Sequence, residues 1–419
     1  MRSSVPWFAL FLLGLAIFNN LSAAENFAPS DWPRWRGVDG RGITDDTKLP
    51  ETWDASHIVW KTELPGSGQS SPVVVGDRVF LTSAVDKGGE RLVFCVNRKT
   101  GKLEWTKSAW KGTPEATHNM NGWASSTCAS DGERVYAAFG WGGVHCYTVD
   151  GQHVWSKELG KFESKTKRGT AASPVVVDNL VIWNGDSESD PFLFGLNKLT
   201  GDTVWKVPRA GREGYSTPVL VTAAGRRELV LNGDPAINGY DPLTGKLLWS
   251  CKCFAGRGEP TPAVGKDALF VVNGQPGDVF AVRPGGDGDV TKSHITWHTP
   301  RKAGRDQPSP ALAGKWLLVS SLAGVLSCYD AESGQEVWKD RLPFGNISAS
   351  PFVAGDKVYF LGEDGQTAVL QAGPEFKLVA MNKLNPVQLE VFRASPTPCA
   401  GQILIRSDRN LYCVGKGKS

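Results

Sequence analysis

Short apolar runs separated by polar turns repeat along most of this chain, and one unit marks the repeat. In residues 240–249 an apolar run ends at an aspartate, Thr-Gly follows, and a second run reaches a tryptophan. The aspartate side chain can bond the backbone of a tight turn, and glycine takes a positive-φ position without steric cost. Each unit therefore predicts a β-hairpin. The other copies are 96–105, 196–205, 329–338 and the shortened 149–155.

A second signal, Ser/Thr-Pro or a close variant before an apolar run, opens each repeat. Proline is tolerated at a strand start, where no ladder donor is lost. The openings recur every 40 to 55 residues or so, the period of a four-stranded propeller blade. They are Ser71-Pro72, Ser126-Thr127, Ser173-Pro174, Thr217-Pro218, Thr261-Pro262, Ser309-Pro310, Ser350-Pro351 and Ser395-Pro396.

The two signals together predict an all-β fold, an eight-bladed β-propeller of four-stranded antiparallel blades. The eighth repeat stops at its third strand, 411–414, and residues 57–64 have the form of the missing fourth. We therefore expect an N-terminal strand to complete the last blade, which removes the exposed sheet edges of an open array. Seven blades are the alternative, if the weak seventh repeat, with 376–379 in place of the closing strand, merges with a neighbour.

Tryptophan ends the fourth strand of most repeats. At this fixed register an indole can cover the gap between adjacent blades and bond its N–H to backbone there. The repetition favours a structural, tryptophan-docking role over a catalytic one. The residues concerned are Trp60, Trp105, Trp155, Trp205, Trp249, Trp297 and Trp338.

The beginning of the chain differs from the repeats. Residues 1–24 hold an apolar run before small residues, which predicts a signal peptide, with an uncleaved membrane anchor as the alternative. No cysteine lies near the predicted cleavage site, so no lipid anchor is encoded. Residues 25–56 form a tryptophan-rich extension. We expect it to pack on the propeller, which spans residues 57–415 and is followed by a short tail, 416–419. The minority interpretation makes the extension's tryptophans an aromatic platform for a ligand.

Charge and cysteine usage narrow the function. Lys plus Arg is 46 against 43 for Asp plus Glu, and this balance argues against a nucleic-acid binder. Cys95, Cys146, Cys328 and Cys413 share one slot with Gly195, Gly239 and Ala281, which indicates a small buried position rather than disulfides. Cys251 and Cys253 are the exception, since the two thiols could bind a metal or join in a strained bridge. We predict no metal site, because no partner residues stand at ligand spacing.

The loops before the openings carry the candidate ligand-binding residues. A propeller binds ligands where such loops converge at the channel mouth. A ring of arginines there would favour an anionic ligand, whereas neighbouring acids could simply offset them on a solvated rim, the interpretation that we favour. The loop 117–123 adds a histidine and a stacking surface. The candidates are Arg168, Arg212, Arg257, Arg305, Arg393, His118 and Trp123.

The repeated Asp-x-x-Thr-Gly-x-x-x-Trp unit resembles the tryptophan-docking motif of eight-bladed quinoprotein propellers. That group holds the pyrroloquinoline-quinone (PQQ) alcohol dehydrogenases and the assembly factor of the outer-membrane β-barrel machinery. More narrowly, the chain resembles exported PQQ-repeat proteins of planctomycete-type bacteria. The segments that carry this likeness are 31–37, 130–136, 288–292 and 411–415.

The resemblance implies a fold more than an activity. PQQ alcohol dehydrogenases carry adjacent cysteines and place a base and calcium ligands on long inserted loops; this sequence has no Cys-Cys pair and near-minimal blades. We therefore expect a non-catalytic scaffold or binding protein, periplasmic or extracellular, monomeric, with a protein partner of the cell envelope and no cofactor. The alternatives are a PQQ-dependent oxidoreductase, with quinone and calcium over the mouth, and a carbohydrate or polyanion binder.

Overall fold

Eight antiparallel sheets arranged as blades make up the chain. The computed structural model describes residues 27–163, 165–209, 214–253, 257–273, 277–301, 308–384 and 389–416. From the innermost strand outwards, blades 1 to 4 are Val73–Val75, Arg78–Val85, Glu90–Asn97, Leu103–Lys111; Ala129–Ser130, Arg134–Ala138, Val144–Thr148, His153–Lys157; Val175–Val177, Leu180–Gly185, Phe192–Asn197, Thr203–Pro208; and Val219–Ala223, Arg226–Leu231, Ile237–Tyr240, Leu247–Cys251. Blades 5 to 8 are Ala263–Val264, Leu269–Val272, Val279–Val282, Ile295–Thr299; Ala311–Ala313, Trp316–Ser320, Val325–Asp330, Glu336–Arg341; Phe352–Ala354, Lys357–Leu361, Gln366–Gln371, Lys377–Lys383; and Thr397–Cys399, Gln402–Arg406, Asn410–Gly415, Ile58–Glu63.

A closed ring of hydrogen bonds joins the innermost strands of all eight blades. The backbone N–H of Ser71 donates to the Thr127 hydroxyl at 2.9 Å, and the same contact passes from blade to blade until Ser395 donates to Ser71 at 3.0 Å. The other members are Ser173, Thr217, Thr261, Ser309 and Ser350. This hydroxyl ring confirms eight blades rather than seven. In blade 2 its member is Thr127, so the register lies one residue beyond the predicted opening at Ser126.

The last blade closes as predicted. Ile58–Glu63 pairs antiparallel with Asn410–Gly415, and Trp60 lies opposite Cys413. The first and last parts of the propeller therefore share one sheet, which leaves no gap in the ring.

The small slot of the third strand lies directly opposite the closing tryptophan. Cys95 pairs with Trp105 and Gly195 with Trp205, and the register shifts at this position in each blade. A Cβ added to Gly195 would lie 2.2 Å from the Trp205 ring, so the bulge and the indole together demand a small residue. All eight cysteines are free, and all except Cys253 are buried.

Five of the seven predicted docking tryptophans donate the indole N–H to a backbone carbonyl of the next blade, at 2.9 to 3.1 Å. Trp249 corrects the predicted pattern, because its N–H donates at 2.7 Å to the Glu228 carboxylate of its own blade. In blade 5 the usual turn is replaced by residues 283–294, so no equivalent carbonyl is presented. The Trp205 indole N–H has no partner within the described residues. The regular five are Trp60, Trp105, Trp155, Trp297 and Trp338.

Residues 31–46, here called the channel seal, cross the end of the channel at which the innermost strands finish. Trp32 pairs with Val74 of blade 1, and the Ser130 N–H of blade 2 donates to the Pro33 carbonyl. The Arg36 guanidinium donates to the Pro310 carbonyl of blade 6 at 2.9 Å, and Ile43–Thr44 adds a parallel strand to blade 7. These contacts reach blades 1, 2, 6 and 7, so the seal bridges separate parts of the ring at this end of the channel.

Helix is scarce, as the sequence indicates. Gly288–Asp289 adds a parallel strand to the outer edge of blade 4. No helix within the described ranges is long and apolar enough to cross a membrane. The predicted signal peptide, residues 1–24, lies outside those ranges. The helical segments are the short α-helix Thr291–His294 and the 3-10 turns Ala55–His57, Asp86–Gly88 and Gly140–Gly142.

Candidate functional site

A cavity of about 200 Å³ opens at the end of the channel opposite the seal. Six members of the hydroxyl ring line it, together with the loops that lead into the innermost strands. Trp35 of the seal reaches it from below, and its indole N–H donates to the Thr261 hydroxyl at 3.3 Å. We call this cavity the mouth cup. It has a floor of hydroxyls and one indole, and walls of mixed charge.

Arg168 is a half-buried cation in the wall of the cup. Its backbone carbonyl accepts hydrogen bonds from the Thr117 hydroxyl at 3.3 Å and the Asn121 side-chain amide at 2.7 Å. These bonds tie the mouth loops of blades 2 and 3 together and position the side chain. Its guanidinium makes no ion pair in the part of the chain that the structure describes. Within those residues the charge of Arg168 is therefore not offset by a salt bridge.

Arg393 also lines the cup, but its charge is offset. The guanidinium donates to both Glu363 carboxylate oxygens, at 3.1 and 3.4 Å, and to the Asn119 carbonyl at 3.0 Å. Arg257 is half-buried and is not part of the cup lining. Arg212 and Arg305 lie outside the described residues. Of the five predicted arginines, the structure thus brings two to the cup, and of these two only Arg393 makes an ion pair with a described residue.

The two candidates in the loop 117–123, His118 and Trp123, lie in different environments. His118 lines the cup, and its Nδ1 accepts the Met120 backbone N–H at 3.2 Å. Trp123 lies outside the lining, and its indole N–H donates to the Glu115 carbonyl at 2.7 Å. A Cβ on Gly88 would come within 2.4 Å of the Trp123 ring. Trp123 is therefore packed into the blade and offers no stacking face to the cup.

A buried charge pair supports the wall behind this loop. Arg91 donates to the Glu115 carboxylate at 2.7 Å, and its guanidinium lies 5.1 Å from the centre of the Trp110 ring. Burial lowers the pKa of Arg91, and the Glu115 charge acts against that shift. Such a pair is costly to break, because either partner alone would leave a buried charge.

His145 is buried at the mouth end of blade 2. Its Nε2–H donates to the Gly142 carbonyl at 2.7 Å, which leaves Nδ1 to accept the Ser156 hydroxyl at 2.8 Å. Burial lowers the pKa of His145 to about 4, and the imidazole is therefore neutral at neutral pH. The exposed His153 contacts the same hydroxyl at 2.7 Å.

Trp35 had only a minority role in the predictions, which included neither the hydroxyl ring as part of the cup nor the pairing of Arg393 with Glu363. The Ser/Thr-Pro openings in the sequence indicated strand starts, but nothing in them showed that their hydroxyl groups point towards a common axis. As a set, the cup residues can hold a small anionic group, since arginine forks onto carboxylate or phosphate. Within the described ranges no group of three or more His, Cys, Asp or Glu residues could hold a metal ion.

The comparison with protein families agrees with the repeat structure. The family model described as "Outer membrane protein assembly factor BamB" matches residues 52–190, 89–288 and 275–373, more than half of the chain. The chain belongs to this family. The three matched stretches together span residues 52–373, the part of the chain that carries most of the repeats.

Individual relatives are distant. The outer membrane protein assembly factor BamB of Burkholderia pseudomallei is 22% identical over 360 residues, which cover 73% of this chain and 86% of the relative. The tetrathionate hydrolase of Acidithiobacillus ferrooxidans is 26% identical, over 72% of this chain and 64% of the relative. Among solved structures, a europium-containing methanol dehydrogenase aligns with a TM-score of 0.71 at 11% identity, covering 94% of this chain and 99% of the enzyme's chain. That last likeness concerns the fold alone.

Proposed function

We propose that this chain is a non-catalytic propeller scaffold of the bacterial cell envelope, whose mouth cup receives an acidic group of a protein partner. One observation carries the proposal. Residues 31–46 cross one end of the channel, and the cup at the other end measures about 200 Å³ and presents Arg168, which makes no ion pair with a described residue. The assembly factors in the same family support the envelope setting, since their name places them at the outer membrane.

The size of the cup favours a side chain over a whole cofactor. Pockets for drug-sized ligands usually measure about 300 to 1,000 Å³. A cup below that range accommodates one carboxylate side chain or chain terminus from a partner. A half-buried arginine surrounded by packed neighbours is a frequent centre of binding energy at protein interfaces, because its partner charge becomes desolvated.

A quinone-dependent oxidoreductase is the rival function, and the dehydrogenase-like fold motivates it. The described cup fits PQQ poorly. Its volume is small, Arg393 is already paired with Glu363, and among the described lining residues Arg168 is the one arginine left for a cofactor with several carboxylates. The floor residue Trp35 could stack on a flat ring, but the described residues contain no acidic cluster for an accompanying calcium ion.

Isothermal titration calorimetry of the purified chain with PQQ and calcium separates the two functions. The scaffold proposal predicts no saturable heat. A tight one-to-one complex that weakens in Arg168→Ala, but not in the matched variant Arg341→Ala, would contradict it. Arg341 is a suitable control because it is an exposed arginine on the outer strand of blade 6, away from the cup.

A further inference from the structure

Two cysteines meet where the chain leaves blade 4. Cys251 ends the outer strand, and the Cys253 backbone N–H donates back to the Cys251 carbonyl at 3.1 Å. In an extended strand, residues two apart lie about 6.6 Å from Cα to Cα, near the upper limit for a disulfide. This tight turn shortens that distance, so the backbone already suits a bridge.

The thiols themselves are in contact. The Cys253 Sγ–H donates to Cys251 Sγ at 3.5 Å and to the Cys251 carbonyl at 3.4 Å. Cys251 is buried and Cys253 is half-buried, so one sulfur of the pair is open to a reagent. Among the described residues, no other two cysteine sulfurs share a hydrogen bond.

The contact also separates this pair chemically from the remaining thiols. The hydrogen bond from Cys253 lowers the pKa of Cys251 and raises that of Cys253. Elsewhere burial raises the thiol pKa, to about 12 for both Cys128 and Cys399. Because a disulfide reagent must reach the attacking sulfur, the half-buried Cys253 makes the first attack, and Cys251, which is 0% exposed, acts second as the resolving thiolate.

We propose that Cys251 and Cys253 form a reversible disulfide by exchange with a small-molecule disulfide or with the disulfide of an oxidoreductase. The Cys253 thiol loses its proton, attacks that disulfide and expels one thiolate. The Cys251 thiolate then attacks Cys253 in the mixed disulfide and releases the second. The two cysteines lose two protons and two electrons, and the attacked disulfide becomes two thiols.

Oxidation would fix the beginning of a mouth segment. Beyond Cys253 the chain continues to Glu259, which lines the cup, and to Thr261 in the hydroxyl ring. The proposal rests on the proposed function only for the compartment, since export places the pair where disulfides persist. The pairing itself is a property of this turn.

The test is thiol counting on the purified chain. After incubation with oxidised glutathione, the protein is denatured, alkylated with iodoacetamide and weighed. Two of the eight thiols are expected to escape alkylation, a peptide map should join Cys251 to Cys253, and dithiothreitol should restore all eight. Eight alkylated thiols after oxidation, or a bridge between other cysteines, would overturn the proposal.

Two variants keep the result specific. Cys253→Ser alters a half-buried position and should abolish the paired loss. Cys399→Ala removes a buried thiol elsewhere and should leave the loss of two unchanged. Since the assay uses no partner and no envelope, its failure would leave the scaffold proposal standing, and a failed scaffold proposal would not affect the thiol count.

Discussion

The two ends of the channel are built differently. At the seal end Trp32 and Arg36 are 6% and 4% exposed, and the contacts there are mainly to backbone groups of the blades. At the mouth end the loops are half-buried and charged, and Arg168 makes no ion pair with a described residue. Trp32 and Arg36 are packed like a protein core, whereas Val38, Asp39 and Ile43 of the same seal line a cavity of about 770 Å³. On the proposed function, the mouth binds the partner and the buried part of the seal contributes stability.

The largest expected effect comes from breaking the seal. Trp32→Ala should lower the free energy of unfolding by about 3–5 kcal/mol, as buried tryptophans do when truncated. Equilibrium urea denaturation measures the loss. Trp35→Ala is the matched variant at the mouth floor, and it should cost less than half as much, because Trp35 is only half-buried. Equal losses of unfolding free energy in the two variants would contradict the distinction between the two ends.

The mouth end should also respond to acid. Burial lowers the pKa of His145 from 6.5 to about 4. Between these two pH values the imidazole is protonated in the unfolded chain but neutral in the folded chain. This contribution to stability is present above pH 6.5 and is lost as the pH falls towards 4, by about 3 kcal/mol in all. Urea denaturation at pH 7 and pH 4.5 tests it.

His145→Gln should flatten that pH dependence, because an amide does not titrate in this range. The control is His153→Gln, which removes an exposed imidazole from the same hydroxyl. The same acid sensitivity in wild type and His145→Gln would show that another group is responsible.

The blades were predictable from the sequence because each is encoded locally. The Asp-x-x-Thr-Gly turn, the Ser/Thr-Pro opening and the closing tryptophan all lie within a single repeat. Even the closure by Ile58–Glu63 could be predicted, since Trp60 repeats the same register. The small slot at Gly195 was equally readable, because its Trp205 neighbour recurs at a fixed spacing in the chain.

The cup was less predictable because its contacts join distant residues. Trp35 bonds Thr261 across 226 positions, and no periodicity in the seal indicates this. Arg393 is neutralised by Glu363 of the preceding blade and not by a sequence neighbour. Trp249 departs from its repeat because the next blade changes its turn. These contacts depend on which residues come close together around the ring, and the repeat pattern along the sequence does not show that proximity.

The central claim is that the mouth, and not the seal end, meets a partner, and site-specific photocrosslinking in cells tests it most directly. A photoreactive residue replaces Met120 in the cup lining or Val38, which is 45% exposed on the seal. Arg168→Glu is combined with the Met120 probe, and its free energy of unfolding is measured beside that of the wild type, because Arg168 is half-buried.

We expect one discrete envelope-protein adduct from position 120, its loss in Arg168→Glu, and no adduct from position 38. An adduct from position 38 with none from position 120 would contradict it.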